Sequence, residues 1–281
     1  MGADEAERRR ILVALDTGTL CLASLETAVE LAARLDADLD GLFVEDLNLL
    51  RSAALPVVRQ VSLLTACSES FDPAETEREL RAMAARAEGH LAAHATRREV
   101  RWTFRIVRAR VAEAVIAAAE ASDLLVVQGT TWPLSRRVHM DASARTAVTS
   151  VRKSLVILPP GGRLGRGGAI VLYDDPAEGE RLLDTAARLC PDDAAPLDVI
   201  LLGAEARETV GLEGHVDRWR RERDCVVRVR HLPGATWAKL CRLLTPYHGT
   251  LLVLSGGLRL LADQRPECLL EAFDGPIFLL R

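Results

Sequence analysis

The residues of this chain that could do chemistry gather at the ends of apolar runs. Leu124–Val127 is one such run, and a loop opened by Gly129 follows it, spanning 129–145. Leu155–Leu158 is a second run, so residues 123–158 read as strand, loop, short helix from about Ser143, and strand. Unbroken apolar runs of this length suit parallel strands buried on both faces. In an open α/β sheet, ligands bind beyond the carboxyl ends of the strands. A small molecule is therefore expected first at 129–145. ILVALD (11–16) and AIVLYD (169–174) also end at an acid, Asp16 and Asp174. Such an acid can serve a ligand or cap a turn.

Other reactive residue types carry less. His90 and His94 stand four apart on one helix face, as zinc ligands can. No HExxH pattern surrounds them and the sequence shows no third ligand, so they read as a solvated pair. Metal ligands are expected nowhere in the chain. Cys21, at a helix start, reads as a small apolar residue facing the sheet rather than an activated thiol. Ser24, Ser135 and Ser143 lack the GxSxG setting of a hydrolase nucleophile. Asp174-Asp175-Pro176 reads as a turn and helix cap.

The elements that must position these residues follow from periodicity. Strands are expected at 11–16, 39–44, 100–107, 124–127 and 155–158. Helices fall between them. Asp72 before Pro73 marks a helix start, and that helix runs to about His94. Residues 46–72, with Pro56 inside, read as an irregular excursion holding one short helix. PPGGRLGRGG (159–168) has no apolar periodicity and reads as a linker. The order then repeats: AIVLYD matches ILVALD, TLLVLSG (250–256) matches DLLVVQG (123–129), and PIFLLR (276–281) matches SLVILP (154–159). Repetition on this scale implies a duplicated α/β unit. The expected fold is α/β, with two tandem open parallel five-stranded sheets flanked by helices. The expected division is a domain at 1–160, a linker at 161–168 and a shortened domain at 169–281.

The chain has 281 residues, 49% apolar and 27% charged, which is ordinary for a globular protein and long enough for about two cores. A net charge of −4 gives no case for nucleic acid. No apolar run approaches the roughly 18–20 residues that span a bilayer. MGADEAERRR does not resemble a signal peptide, so a cytoplasmic setting is expected, with the six cysteines as thiols.

With these motifs in view, the sequence resembles the universal stress protein family in its tandem form. The resemblance spans nearly the whole chain: a first strand ending in Asp, Phe43-Val44-Glu45 at the end of the second strand, and DLLVVQG. ATP-binding members of the family carry, after the fourth strand, a glycine, two residues, a glycine, nine residues, then Gly-Ser or Gly-Thr. Here Gly129 holds the first position, Trp132 replaces the second glycine, Ala142 replaces the third, and Ser143 keeps the hydroxyl. The resemblance implies a nucleotide site, with ATP as the cofactor, at Ala14, Asp16, Val44, Gly129, Ala142 and Ser143. Glycines let backbone N–H groups approach phosphate oxygens, so Trp132 adds bulk where a phosphate would lie. Simple core packing also accounts for Ala14 and Val44. In the second copy, the connection after Gly256-Gly257 is shorter, and no nucleotide is expected there.

The resemblance implies a regulatory, stress-response module that binds a nucleotide weakly in its first copy and acts through an unidentified protein partner. It also implies that the two copies pair through their last strands as a built-in pseudo-dimer, leaving a homodimer of tandem chains open. One alternative is an enzyme that hydrolyses ATP slowly or transfers a nucleotidyl group. Another is a protein-interaction scaffold with no ligand, which Trp132 favours.

Overall fold

The structure, a computed structural model, describes residues 8–15, 22–55, 59–61, 68–70, 72–131, 138–139, 145–146, 149–159, 161, 164, 168–190, 196–223, 225–247, 249–261 and 273–281. The first half runs β1 (Arg10–Leu15), α1 (Leu22–Leu35), β2 (Asp38–Asp46), α2 (Leu47–Ala53), β3 (Arg59–Val61), β4 (Ser68–Ser70), α3 (Pro73–Arg97), β5 (Trp102–Ala109), α4 (Val111–Ala119), β6 (Leu124–Gln128), β7 (Thr130–Thr131), β8 (Val138–His139) and β9 (Ser154–Leu158). The second half runs β10 (Ala169–Tyr173), α5 (Pro176–Leu189), β11 (Leu197–Gly203), α6 (Ala206–Arg223), β12 (Val227–Pro233), α7 (Trp237–Leu244), β13 (Leu251–Ser255), a 3-10 turn (Arg259–Leu261) and β14 (Ile277–Leu280).

Both helix starts that follow an Asp-Pro pair form as their residues dictate. Asp72 accepts from the backbone N–H of Ala74 at 2.9 Å, with Pro73 in the first turn of α3. Asp175 does the same for Ala177 at 2.8 Å at the head of α5. Along α3, Leu80, Ala84, Ala87, Leu91 and Ala95 make the buried stripe. The excursion after β2 holds the expected short helix, α2, capped by Asp46. It also holds the β3–β4 hairpin, which the sequence did not announce.

Ten strands form one sheet, in the order β12-β11-β10-β13-β14-β9-β6-β1-β2-β5. Each half contributes five parallel strands whose order reverses beside its first strand, β1 or β10. The halves meet where β14 lies antiparallel to β9, with Ile277 opposite Ile157, Phe278 opposite Val156 and Leu279 opposite Leu155. The expected pairing of last strands is present within the chain. Helices α1, α3, α5 and α6 cover one face and share a single apolar core that crosses this seam. The other face packs on α4 and α7. Alternate residues of each strand feed the two cores, which is why the strands read as continuous apolar runs.

Polar contacts reinforce the seam. Arg34 of α1 donates to the Leu189 carbonyl at the end of α5, and Arg188 of α5 donates to the Leu35 carbonyl at the end of α1, at 3.0 Å. Cations placed on the last carbonyls of a helix oppose its dipole favourably. In the expected linker, Leu164 is buried in the core. A Cβ on Gly168 would meet the Pro196 carbonyl oxygen at 2.0 Å, so the chain passes there only without a side chain.

The outer strands, β5 and β12, alternate half-buried and exposed residues and carry arginines. On β5, Arg105 pairs with Asp40 at 2.9 Å and Arg108 with Glu45 at 2.9 Å.

Candidate functional site

The strand order of each half opens a crevice at the carboxyl ends of its first and fourth strands, where ligands of open α/β sheets bind. The register makes the two crevices comparable residue by residue. Ile11 pairs with Leu39 and Leu124, and Ala169 pairs with Leu251 in the same way. Asp174 therefore follows β10 as Asp16 follows β1 in the sequence. Gly129 donates its N–H to the Leu158 carbonyl at 2.8 Å, and Gly256 donates to that of Leu280 at 2.7 Å. Gly256 is thus the structural counterpart of Gly129.

In the first half, Ala14 is half-buried, Val44 is fully buried in the core and Gly129 is buried. These three stand at or near the carboxyl ends of β1, β2 and β6. The Val44 side chain faces α4, among Val115, Val127 and their neighbours, so only its backbone can reach the crevice. Asp16, Ala142 and Ser143 lie outside the described residues, as do Trp132, Arg136, Arg137 and Cys21. Directly after Gly129, the β7–β8 hairpin pairs Thr130 with His139 and Thr131 with Val138. Helical backbone appears at 145–146 and 149–150, where a short helix was expected. A buried Ser24 donates to the side-chain carbonyl of Gln128 and ties the start of α1 to the end of β6.

The second half differs beyond its glycine. Arg259, from the 3-10 turn, enters the crevice. Its backbone N–H donates to Asp174 Oδ2 at 2.9 Å, and its guanidinium reaches the Asp174 carbonyl at 3.1 Å and Glu208 Oε1 at 2.7 Å. The other oxygen of Glu208 accepts from the Ala204 N–H at 2.7 Å. Burial pushes the Asp174 carboxyl above the ordinary carboxylate range, against the pull of Arg259. The Arg259 hydrogen bond holds Glu208 below that range. Ser255 donates to Glu178, and the Gly257 N–H donates to the Ser255 hydroxyl at 2.9 Å. The cavity left here is 460 Å³, bounded by Asp174, Leu202, Gly203, Gly234 and Arg259. Asp174 was legible from its strand; Arg259 was not, because nothing local marks an exposed arginine that bonds to acids 51 and 85 residues away.

A second cavity, of 870 Å³, lies at the seam near the amino ends of β1, β6 and β9. Arg9, Arg152, Lys153, Arg181 and Arg188 line it, and no ion pair to a described carboxylate forms at these five. Four of them are exposed, so hydration satisfies their charge.

The sequence judged His90 and His94 to lack a third ligand. The structure brings Glu26, on α1, against both, with Nε2 of His90 at 3.3 Å and Nε2 of His94 at 3.7 Å from Glu26 Oε1. The contact links positions 64 residues or more apart, which spacing alone does not reveal.

This architecture, two open parallel α/β halves joined through their last strands, is similar in fold to solved universal stress proteins. A universal stress protein from Archaeoglobus fulgidus DSM 4304 superposes with a TM-score of 0.69 at 12% identity, covering 96% of this chain and 98% of that one. A putative universal stress protein from Pseudomonas aeruginosa UCBPP-PA14 gives 0.57 at 16% identity, over 97% and 93%. A functionally unknown protein from Pseudomonas aeruginosa PAO1 gives 0.58 at 17%, over 97% and 92%. No family model matches the chain, and no curated protein matches it. At these identities the likeness is one of fold, and the resemblance read in the sequence holds at that level. None of the described helices is long and apolar enough to cross a membrane.

Proposed function

We propose that this chain is a cytoplasmic, stress-response regulatory module built of two unequal copies, divided near residues 161–168. The first copy takes an adenine nucleotide weakly at the ends of β1 and β6, through Asp16, Gly129, Ala142 and Ser143. The second copy is a fixed structural partner, and the pair signals to another protein.

The observation that carries this reading is the asymmetry of the two crevices. In the second, Arg259 already supplies the donors and the positive charge that the Asp174 and Glu208 carboxylates accept, so neither acid is open to a ligand. A nucleotide there would have to displace a paired arginine and leave a buried carboxylate without its partner, which is costly. In the first, the connection after Gly129 is longer and helical backbone appears at 145–146 and 149–150, and a helix beginning near Ser143 would favour an anion at its start.

The test is nucleotide content and affinity. The purified protein is denatured and its released nucleotide analysed; stripped protein is then titrated calorimetrically with ATP. Binding in roughly the micromolar-to-millimolar range is expected, about −4 to −8 kcal/mol. It should vanish in Gly129→Val and persist in Arg259→Ala. No heat at millimolar ATP would remove the nucleotide from this reading and leave a protein-binding scaffold.

A further inference from the structure

We propose that Glu26, His90 and His94 form a binding site for a divalent transition metal of the zinc class, which clamps α1 to α3. The two histidines lie one turn apart on α3, so their side chains project over the same face. Glu26 meets them from the first half of α1. One ligand atom from each residue lies within 4.8 Å of the other two. A tetrahedral ion with bonds of about 2.0–2.1 Å sets its ligand atoms about 3.4 Å apart. The carboxylate-to-imidazole distances of 3.3 and 3.7 Å bracket that separation before any adjustment of the rotamers.

A second observation points the same way. His90 Nε2 is buried and makes no hydrogen bond, although Glu26 Oε1 is 3.3 Å away. The two groups are close without the alignment of a donor and acceptor. Two groups converging on a shared point beside them produce this geometry. A buried imidazole nitrogen left unsatisfied is destabilising, and coordination satisfies it.

The donor set selects the ion. Two imidazoles and one carboxylate suit zinc, cobalt, nickel or copper, whereas magnesium and calcium prefer oxygen ligands throughout. Three protein ligands leave a fourth position for water. The three side chains are 21–30% exposed, which gives an ion a path in from solvent. The ion would fix α1 near its start, two residues from Ser24, which holds Gln128 beside Gly129.

The experiment uses the full chain, stripped with a chelator and titrated with Co2+ and then Zn2+. One ion per chain is expected. The cobalt form should show visible d–d absorption without the near-ultraviolet charge transfer that thiolate ligands give. Glu26→Gln and His94→Ala should each weaken binding at least about 100-fold, the upper end of the loss seen for residues that merely support a ligand. His231→Ala removes a different histidine–carboxylate contact, 3.1 Å from Glu213, and should leave binding unchanged. Glu26→Gln keeps shape and volume, so it decides the matter if His94→Ala fails to fold. No bound ion, a thiolate spectrum, or binding that survives Glu26→Gln would overturn the proposal and leave a histidine–carboxylate contact between two helices.

Discussion

In the first half, Gln128 pairs with Leu158, thirty positions on; in the second, Ser255 pairs with Leu280, twenty-five positions on. Apart from α2 and the β3–β4 hairpin, the two halves share one order of elements up to Gly129 and Gly256, whose N–H groups make the same hydrogen bond to the last strand. Beyond those glycines they part. The longer connection opens with a hairpin, and the shorter turns at once and drives Arg259 between Asp174 and Glu208. The sheet tolerates this because its stability lies in strands buried on both faces. The crevice does not, because its chemistry depends on a few polar groups and on connection length. Two copies of one fold can therefore keep their architecture and lose their equivalence.

The largest expected effect is at the seam, where the two halves stop being separable. Phe278 is buried opposite Val156 in the antiparallel pair. Phe278→Ala should cost about 3–5 kcal/mol. Because the core is continuous across the seam, both halves should weaken together. Urea unfolding followed through Trp102 alone and through Trp219 alone, with the other tryptophans replaced, should give coincident transitions. Separate midpoints would mean that each half stands on its own core.

A smaller effect, with a sign set by titration, is expected at Arg259. Arg259→Ala keeps the backbone N–H bond to Asp174 Oδ2 but removes the guanidinium charge 3.6 Å from that buried carboxylate, at a cost of about 1–3 kcal/mol. Burial already holds the folded Asp174 pKa above its unfolded value, so its contribution is most favourable at low pH and declines as pH rises through the folded value. Removing Arg259 extends that decline upward. Glu208 works in the opposite sense: its depressed pKa lends stability above the ordinary carboxylate range, and the variant loses that too. The deficit should be greatest near neutral pH and shrink as the acids protonate. Denaturant midpoints from pH 3 to pH 7 measure it. A deficit independent of pH would show that Arg259 acts through packing alone, and that the second crevice is not closed by charge.

The smallest effect is expected at the edges. Asp40 and Asp198 occupy equivalent places, opposite Leu12 and Ile170 in register. Asp40 has Arg105 at 2.9 Å, while burial raises the pKa of Asp198 against the weaker pull of Arg228 and Arg230. Arg105 is 46% exposed, so Arg105→Ala should change stability by no more than about 1 kcal/mol. A thermal melt showing a larger loss would make the ion pairs of the first half a structural difference between the copies, not a surface one.

Much of this fold could be read from residue order. Strands β1, β2, β5, β6, β9, β10, β13 and β14 were legible in the residue order, the starts of α3 and α5 as Asp-Pro pairs, and the seam as two matching final runs. The two hairpins were not, because strands of two or three residues carry no period to detect. The crevice was half legible. Asp174 and Gly256 declared themselves by position at strand ends. Arg259 and Glu208 are 51 residues apart and meet only through the fold. The same holds for Glu26: a helical pair of histidines shows in the sequence, but a carboxylate from a neighbouring helix does not.

Joining the halves strand to strand also changes how the molecule presents itself to its neighbours. Two separate five-stranded sheets would expose four unpaired strand edges; one sheet of ten exposes two. An exposed edge is a template on which another chain can add a strand. Here the two that remain are β5 and β12, and both bristle with arginine: Arg105 and Arg108 on one, Arg228 and Arg230 on the other. Long charged side chains along an edge would have to be desolvated before another strand could add there, so the fusion halves the number of sticky margins, and arginines guard those that are left.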